Sequence, residues 1–194
     1  MRLVICPGIH DPKLTDRFLE GLSEVWGEAE PRQNPQVVSH VKIFPAHKHP
    51  PFSALDILHF LCTQELTGEN LVFVSFSAGV AGAIGAALLW QQIGGKVGAF
   101  FALDGWGVPL GGTFPIHRLS HDRFTHWSSA ILGGGGDGFY ADPPIEHLDL
   151  WRQPQTAQGW QIGKTADCIE TAAPTTAATF LVHLLKYYGV QSVV

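Results

Sequence analysis

Short apolar runs, each ended by Gly, Pro or Asp, alternate along the chain with longer stretches in which apolar positions recur every three or four residues. The first pattern predicts strands and the second helices; together they predict parallel strands joined by crossover helices. RLVIC (2–6) reads as a strand covered on both faces, ended by PGIHDP. Phe18, Leu19, Leu22, Val25 and Trp26 then share one face of a helix from about Thr15 to Gly27. VVSHVKIF (37–44) predicts the next strand, and SALD, beginning at Ser53, has the form of a capping box before a helix reaching about Leu66.

ENLVFVSF (69–76) is the most strand-like run in the chain, and AGVAGAIGAALLWQQIGG (78–95) predicts a small-residue helix stopped by a glycine pair. KVGAFFALDGWG (96–107) predicts a strand ending at Asp104. Beyond it the pattern weakens. RFTHWSSA (123–130) is strand-like, LGGGGDG (132–138) reads as a flexible turn, and PTTAATFLVHLLKYYG (174–189) predicts a closing amphipathic helix. The expected fold class is α/β, a three-layer α/β/α sandwich with a mostly parallel sheet.

Composition narrows the function. The 194 residues, 45% hydrophobic, suit a single domain over 1–194 with a sizeable core. Only 15% are charged, the net charge is −5 and Lys and Arg do not cluster, which argues against a nucleic-acid partner. Cys6, Cys62 and Cys168 are far apart and show no CxxC spacing, so neither a disulfide framework nor a zinc site is expected, and a reducing compartment fits. No segment reaches the roughly 18 apolar residues of a membrane span. MRLVICPG is too short an apolar run for a signal peptide and reads as a mature first strand. The expected setting is cytoplasmic.

Candidate chemistry centres on Ser77, at the junction of the strand-like run and the small-residue helix. A side chain there points over the C-terminal edge of a parallel sheet, where open α/β folds bind ligands, and the helix start supplies free N–H groups for negative charge. A turn this tight requires small residues two positions either side, and Ser75 and Gly79 occupy them. The bland alternative is a serine that merely caps its helix.

The pentapeptide SFSAG is Gly-x-Ser-x-Gly with its first glycine replaced by serine, and in its strand-to-helix setting it resembles the nucleophile elbow of the α/β-hydrolase family. The resemblance covers most of the chain and implies several roles. PGIHDP stands where that family draws one oxyanion-hole N–H, with Pro-Gly in place of His-Gly, so the backbone N–H of Ile9 or His10 would pair with that of Ala78. The family's order of Ser, acid, His excludes the five histidines before Ser77 as the base. Among those after it, His147 in IEHLDLW looks most like the family's late-loop histidine, whereas His183 lies on a regular helix and His117, His121 and His126 read as surface or pocket-wall residues.

For the acid, some lipase-like members carry it at the position of Asp104; most place it one strand later, which points instead to Asp122, Asp137 or Asp142. Trp106, beside Asp104, is the expected pocket neighbour. Phe114, Trp127, Phe139 and Trp151 are weaker candidates for the wall. No stretch reads as a large lid.

These roles imply a cofactor-free serine hydrolase acting on an ester or thioester of a small or lipid-like acyl substrate through Ser77, His147 and Asp104 and an acyl-enzyme. A non-catalytic binding protein of the same fold is the main alternative. The ten histidines raise a metal-dependent hydrolase as a weaker one, through HKH (47–49) or the 117/121/126 group, but HEXXH is absent. A nucleotide site is weaker still, since no GxGxxG opens a helix.

Overall fold

Eight strands and six helices form the framework of the computed structural model, which describes residues 1–27, 40–64, 66, 68–134, 136–164 and 170–193. In chain order they are β1 (Arg2–Cys6), α1 (Lys13–Trp26), β2 (Val41–Ile43), α2 (Ala54–Thr63), β3 (Asn70–Phe76), α3 (Ala78–Gln92), β4 (Lys96–Leu103), β5 (Ile116–Ser120), α4 (Arg123–Ala130), β6 (Gly138–Ala141), α5 (His147–Arg152), β7 (Gln158–Lys164), β8 (Glu170–Thr176) and α6 (Ala177–Tyr187). The strands make one sheet in the order β2-β1-β3-β4-β5-β6-β7-β8. All pairings through β6 are parallel, and β7 and β8 extend the sheet antiparallel. The fold is α/β with a mostly parallel, mixed sheet.

The central strands are buried on both faces because successive side chains enter opposite cores. Val72, Val74 and Phe76 of β3 join Phe18 and Leu22 of α1, Trp151 of α5 and Leu181 and Leu185 of α6. Leu71 and Phe73 join Ile57 and Leu61 of α2 and Ala83, Ala87 and Trp90 of α3. Because α1 and α3 cover opposite faces, the loops leaving β1 and β3 diverge and open a crevice at the C-terminal edge where the strand order reverses. Among the described residues, no helix is long and apolar enough to cross a membrane.

Local chemistry accounts for the boundaries. Gly27 ends α1 in the left-handed region at φ 85°, and Ser53 caps α2 by accepting the Asp56 N–H at 3.2 Å, although that helix ends at Thr63 rather than near Leu66. Of the expected strand over 37–44, residues 37–39 lie outside the described residues, as does Cys168, and β2 covers only Val41–Ile43.

Two expectations are corrected. RFTHWSSA is α4, not a strand: Asp122 accepts the Thr125 N–H at 2.6 Å and its hydroxyl at 3.0 Å, and that N-cap decides the conformation. The closing helix begins at Ala177 rather than 174, because Thr176 caps it by accepting the Thr179 N–H at 3.1 Å while Pro174 lies in the edge strand β8, where a missing N–H is tolerated. Within the turn-like stretch after α4, Gly138 already begins β6.

Candidate functional site

Ser77 is the last residue before α3 and takes the unusual backbone angles φ 53° and ψ −125°. The turn is held from three sides. Its N–H donates to the Leu103 carbonyl at 2.9 Å. A Cβ on Gly79 would lie 2.4 Å from the backbone oxygens of Cys6 and Pro7, so only glycine lets α3 approach the end of β1. Ser75, standing where the motif has glycine, is buried and donates its hydroxyl to the Phe101 carbonyl at 2.9 Å, tying β3 to β4.

Asp104 follows β4 with φ 50° and donates its N–H to the Leu119 carbonyl at 2.8 Å. Its carboxylate is buried. His147 opens α5 and bridges the two: its Nδ1 is 2.9 Å from Asp104 Oδ2 and its Nε2 is 3.1 Å from Ser77 Oγ. A carboxylate only accepts, so the proton sits on Nδ1 and leaves the Nε2 lone pair facing the Ser77 hydroxyl. Ser77, His147 and Asp104 therefore form one hydrogen-bonded chain.

An aromatic stack orients the imidazole. His147 lies on Phe76 with ring centres 4.7 Å apart, Phe76 lies on Trp151 at 5.0 Å, and Trp151 lies on Phe18 at 3.7 Å. Trp151, one helical turn beyond His147, also donates Nε1–H to Thr15 Oγ1 at 3.3 Å, so α1 and α5 together set the ring plane.

His121, just after β5, is the site residue whose role the sequence did not reveal. Its backbone N–H donates to Asp104 Oδ1 and its Nδ1 lies against Asp104 Oδ2, each at 2.9 Å, while Nε2 is 2.8 Å from Asp122 Oδ2. The hydrogen bond to Asp104 raises its pKa above the ordinary histidine value; burial opposes this, and the charges of Asp104, Asp122 and Glu146 reinforce it.

The other candidates lie apart from this chain. The Asp137 carbonyl receives His117 Nδ1–H at 2.9 Å, and Asp142 accepts from Trp160 Nε1 at 3.1 Å. Asp122 caps α4. His117 and His126 are buried, and burial lowers the pKa of each; His183 is exposed on α6.

A cavity of about 440 Å³ opens over the serine, walled by Ala78, Trp106, Val108 and Thr125 around Ser77, Asp104, His121 and His147. Trp106 donates Nε1–H to Ser128 Oγ at 3.1 Å, which fixes it against α4. Phe114, Phe139 and Trp151 belong to the core, and Trp127 is half exposed. Ala78 lines the cavity, whereas Ile9 and His10 are not among its lining residues; their loop abuts the serine through Gly8, where a Cβ would come 3.0 Å from Ser77 Cβ. The His10 side chain bonds to the Asp11 carbonyl through Nδ1 at 2.9 Å and packs on Phe76 and Trp151, while its Nε2 is buried without a hydrogen-bond partner among the described residues.

Asp104, His121 and His147 each place a ligand-type atom within 4.8 Å of the others, a donor set that suits a divalent ion. Both Nδ1 atoms, however, aim at the same Asp104 oxygen at 2.9 Å, which is hydrogen-bond geometry. Among the described residues, neither the 47/49 pair nor His117 and His126 joins such a group.

No protein-family model matches the chain, and no curated protein is significantly similar to it. What the site does has to be read from its geometry.

Proposed function

We propose that the protein is a serine hydrolase of the α/β-hydrolase type that cleaves a small-molecule ester or thioester. The observation that carries this reading is the chain from Ser77 Oγ to His147 Nε2 at 3.1 Å and from His147 Nδ1 to Asp104 at 2.9 Å, mounted on a strained strand-to-helix turn. Strain of this kind persists only where surrounding structure enforces it, and it clusters at functional sites.

In the proposed cycle, His147 Nε2 takes the Ser77 proton as Oγ attacks the carbonyl. The oxyanion would be held by the Ala78 N–H and one from the loop at Ile9 and His10, each worth roughly 3 kcal/mol of barrier. His147 then protonates the leaving alcohol or thiol, water enters, and the same base drives hydrolysis of the acyl-enzyme. Asp104 keeps the imidazole in the required tautomer and stabilises the imidazolium that forms. The chemistry asks for no cofactor. The cavity's size and the apolar faces of Trp106 and Val108 favour a short or compact acyl group. The unpaired thiols Cys6 and Cys62 suit a cytoplasmic, reducing setting.

Intact mass after exposure to a fluorophosphonate, beside p-nitrophenyl ester turnover, tests the reading on wild type, Ser77→Ala and His147→Ala. One adduct is expected, absent in Ser77→Ala and suppressed in His147→Ala. No adduct, or one that survives Ser77→Ala, would mean that the fold serves ligand binding instead.

A further inference from the structure

A second cavity takes no part in the proposed chemistry. It holds about 520 Å³ and opens at the C-terminal edge of the sheet, where β6 ends, β7 begins and β8 ends. Trp160 of β7, half-buried, forms one wall, and its cross-strand partner Pro174 on β8 continues it. The indole is pinned: its Nε1–H donates to Asp142 Oδ2 at 3.1 Å, and the Asp142 N–H donates in turn to the Gln158 carbonyl at 3.0 Å. Beside it stand groups with unused hydrogen-bonding capacity. Asp142 and Gln158 are exposed, and neither Asp142 Oδ1 nor the Gln158 side-chain amide has a partner among the described residues. The hydroxyls of Thr175 and Thr179 complete the rim; each bonds within the chain and keeps a lone pair free to accept.

The simpler classes of guest each leave part of this wall unmatched. An anion would face the Asp142 carboxylate. A cation asks for acceptors only, and Gln158 offers two N–H donors as well. A wholly apolar guest strips water from Asp142 and Gln158 and replaces none of it. A sugar carries what the wall asks for: hydroxyls that both donate and accept, and an apolar C–H face to lie against an aromatic ring. We propose that this cavity is a saccharide-binding site, with a sugar ring laid on Trp160 and its hydroxyls held by Asp142 and Gln158. Because Asp142 already fixes the indole, the ring plane is set before the ligand arrives, which spares the cost of ordering it on binding. The site stands on its own groups, whether or not Ser77 reacts. It shares the sheet edge with the serine: Asp142 lies five residues before His147, and between them the Ile145 N–H donates to the His121 carbonyl at 3.1 Å. A bound saccharide is therefore presented along the edge that carries the Ser77 cavity.

The test is NMR of the full chain labelled with 15N-tryptophan, titrated separately with cellobiose, maltose, xylobiose and choline chloride to about 20 mM, well above a Kd of about 1 mM. The Trp160 indole signal, identified by its loss in Trp160→Phe, is expected to move saturably with at least one disaccharide, while that of Trp106, at the Ser77 cavity, stays. Affinity, followed by saturation transfer from protein to disaccharide, is expected to fall about 2- to 12-fold in Gln158→Ala, the effect of one hydrogen bond. In Trp160→Ala, which removes the stacking face, it should fall at least about tenfold. Gln158 is exposed and its side chain has no partner among the described residues, so its replacement leaves the fold intact and decides the matter should Trp160→Ala not fold. Four results overturn the proposal: no saturable movement of Trp160 with any disaccharide, movement of Trp106 alone, tighter binding of choline than of every disaccharide, or unchanged affinity in Gln158→Ala.

Discussion

Acid should unfold this protein through a histidine outside the proposed chemistry. His126, on α4, is buried against Tyr140, with ring centres 5.8 Å apart, and against Gly138. Burial pushes its pKa down to about 4; the charge of Arg118 acts in the same direction, and a hydrogen bond with the Phe139 backbone opposes it. The ordinary value is 6.5, so between the two values the unfolded chain binds a proton that the folded chain refuses. The contribution is fully present above the unfolded value and is lost as pH falls through the window down to about 4. One pH unit inside that window is worth about 1.4 kcal/mol, so acidification from about pH 7 to about pH 4.5 costs about 2 kcal/mol from His126 alone. His117, also lowered by burial, adds a loss of the same sign. His121 has the opposite sign: its raised pKa stabilises the fold at low pH, and that contribution is lost as pH rises through its folded value. Urea unfolding followed by tryptophan fluorescence at several pH values, for wild type and His126→Gln, isolates the effect. The variant should lose about 2 kcal/mol less than wild type across that range, whatever its stability at neutral pH. Parallel losses in the two proteins would refute the argument that a buried neutral imidazole limits acid stability.

Two further outcomes follow from the site. Asp104→Asn should lower p-nitrophenyl ester kcat/KM by on the order of 10³- to 10⁴-fold through loss of the correct tautomer, whereas Asp137→Asn and Asp142→Asn, whose hydrogen bonds go elsewhere, should leave it nearly unchanged; the reverse ranking would reassign the acid. Gly79→Ala puts a methyl group 2.4 Å from two backbone oxygens that cannot swing aside; it should cost about 1 to 3 kcal/mol in a thermal melt and slow fluorophosphonate labelling, while Gly111→Ala, with nothing within reach of its Cβ, should do neither.

What the sequence made legible was whatever obeys a period or a local motif. β1 and β3 show as apolar runs because both faces of those strands are covered, α3 shows as a run of small and apolar residues, and Ser77 shows because so tight a strand-to-helix turn needs small neighbours. Asp104 and His147 were singled out through the resemblance, and the hydrogen-bond chain is what brings them together. β5 was missed because IHRLS buries polar groups whose partners come from distant loops: Arg118 reaches the Gly133 carbonyl at 2.8 Å and the Val108 carbonyl at 3.2 Å, and His117 reaches the Tyr188 hydroxyl at 2.8 Å. α4 looked like a strand because its aromatic and β-branched residues outweighed the capping signal of Asp122. His121 hid for a different reason. Its meaning lies in two carboxylates, one adjacent and one 17 residues away, and the only local sign was a His-Asp pair closing a strand that had not been recognised. The stack from Phe18 through Trp151 and Phe76 to His147 joins three elements and leaves no trace in any one of them.

Among the described residues, Ser77 and Asp104 are the only non-glycine residues with positive φ, and each directly follows one of two neighbouring strands, β3 and β4. Each is braced by the next strand along, Ser77 on the Leu103 carbonyl and Asp104 on the Leu119 carbonyl, like treads of a stair. Such conformations cost on the order of 1 to 3 kcal/mol apiece, and glycine would adopt either without that cost. At these two positions durability and chemistry pull in opposite directions. A selection for heat resistance alone would reward abandoning them first, leaving a sturdier sheet with nothing to do at its edge.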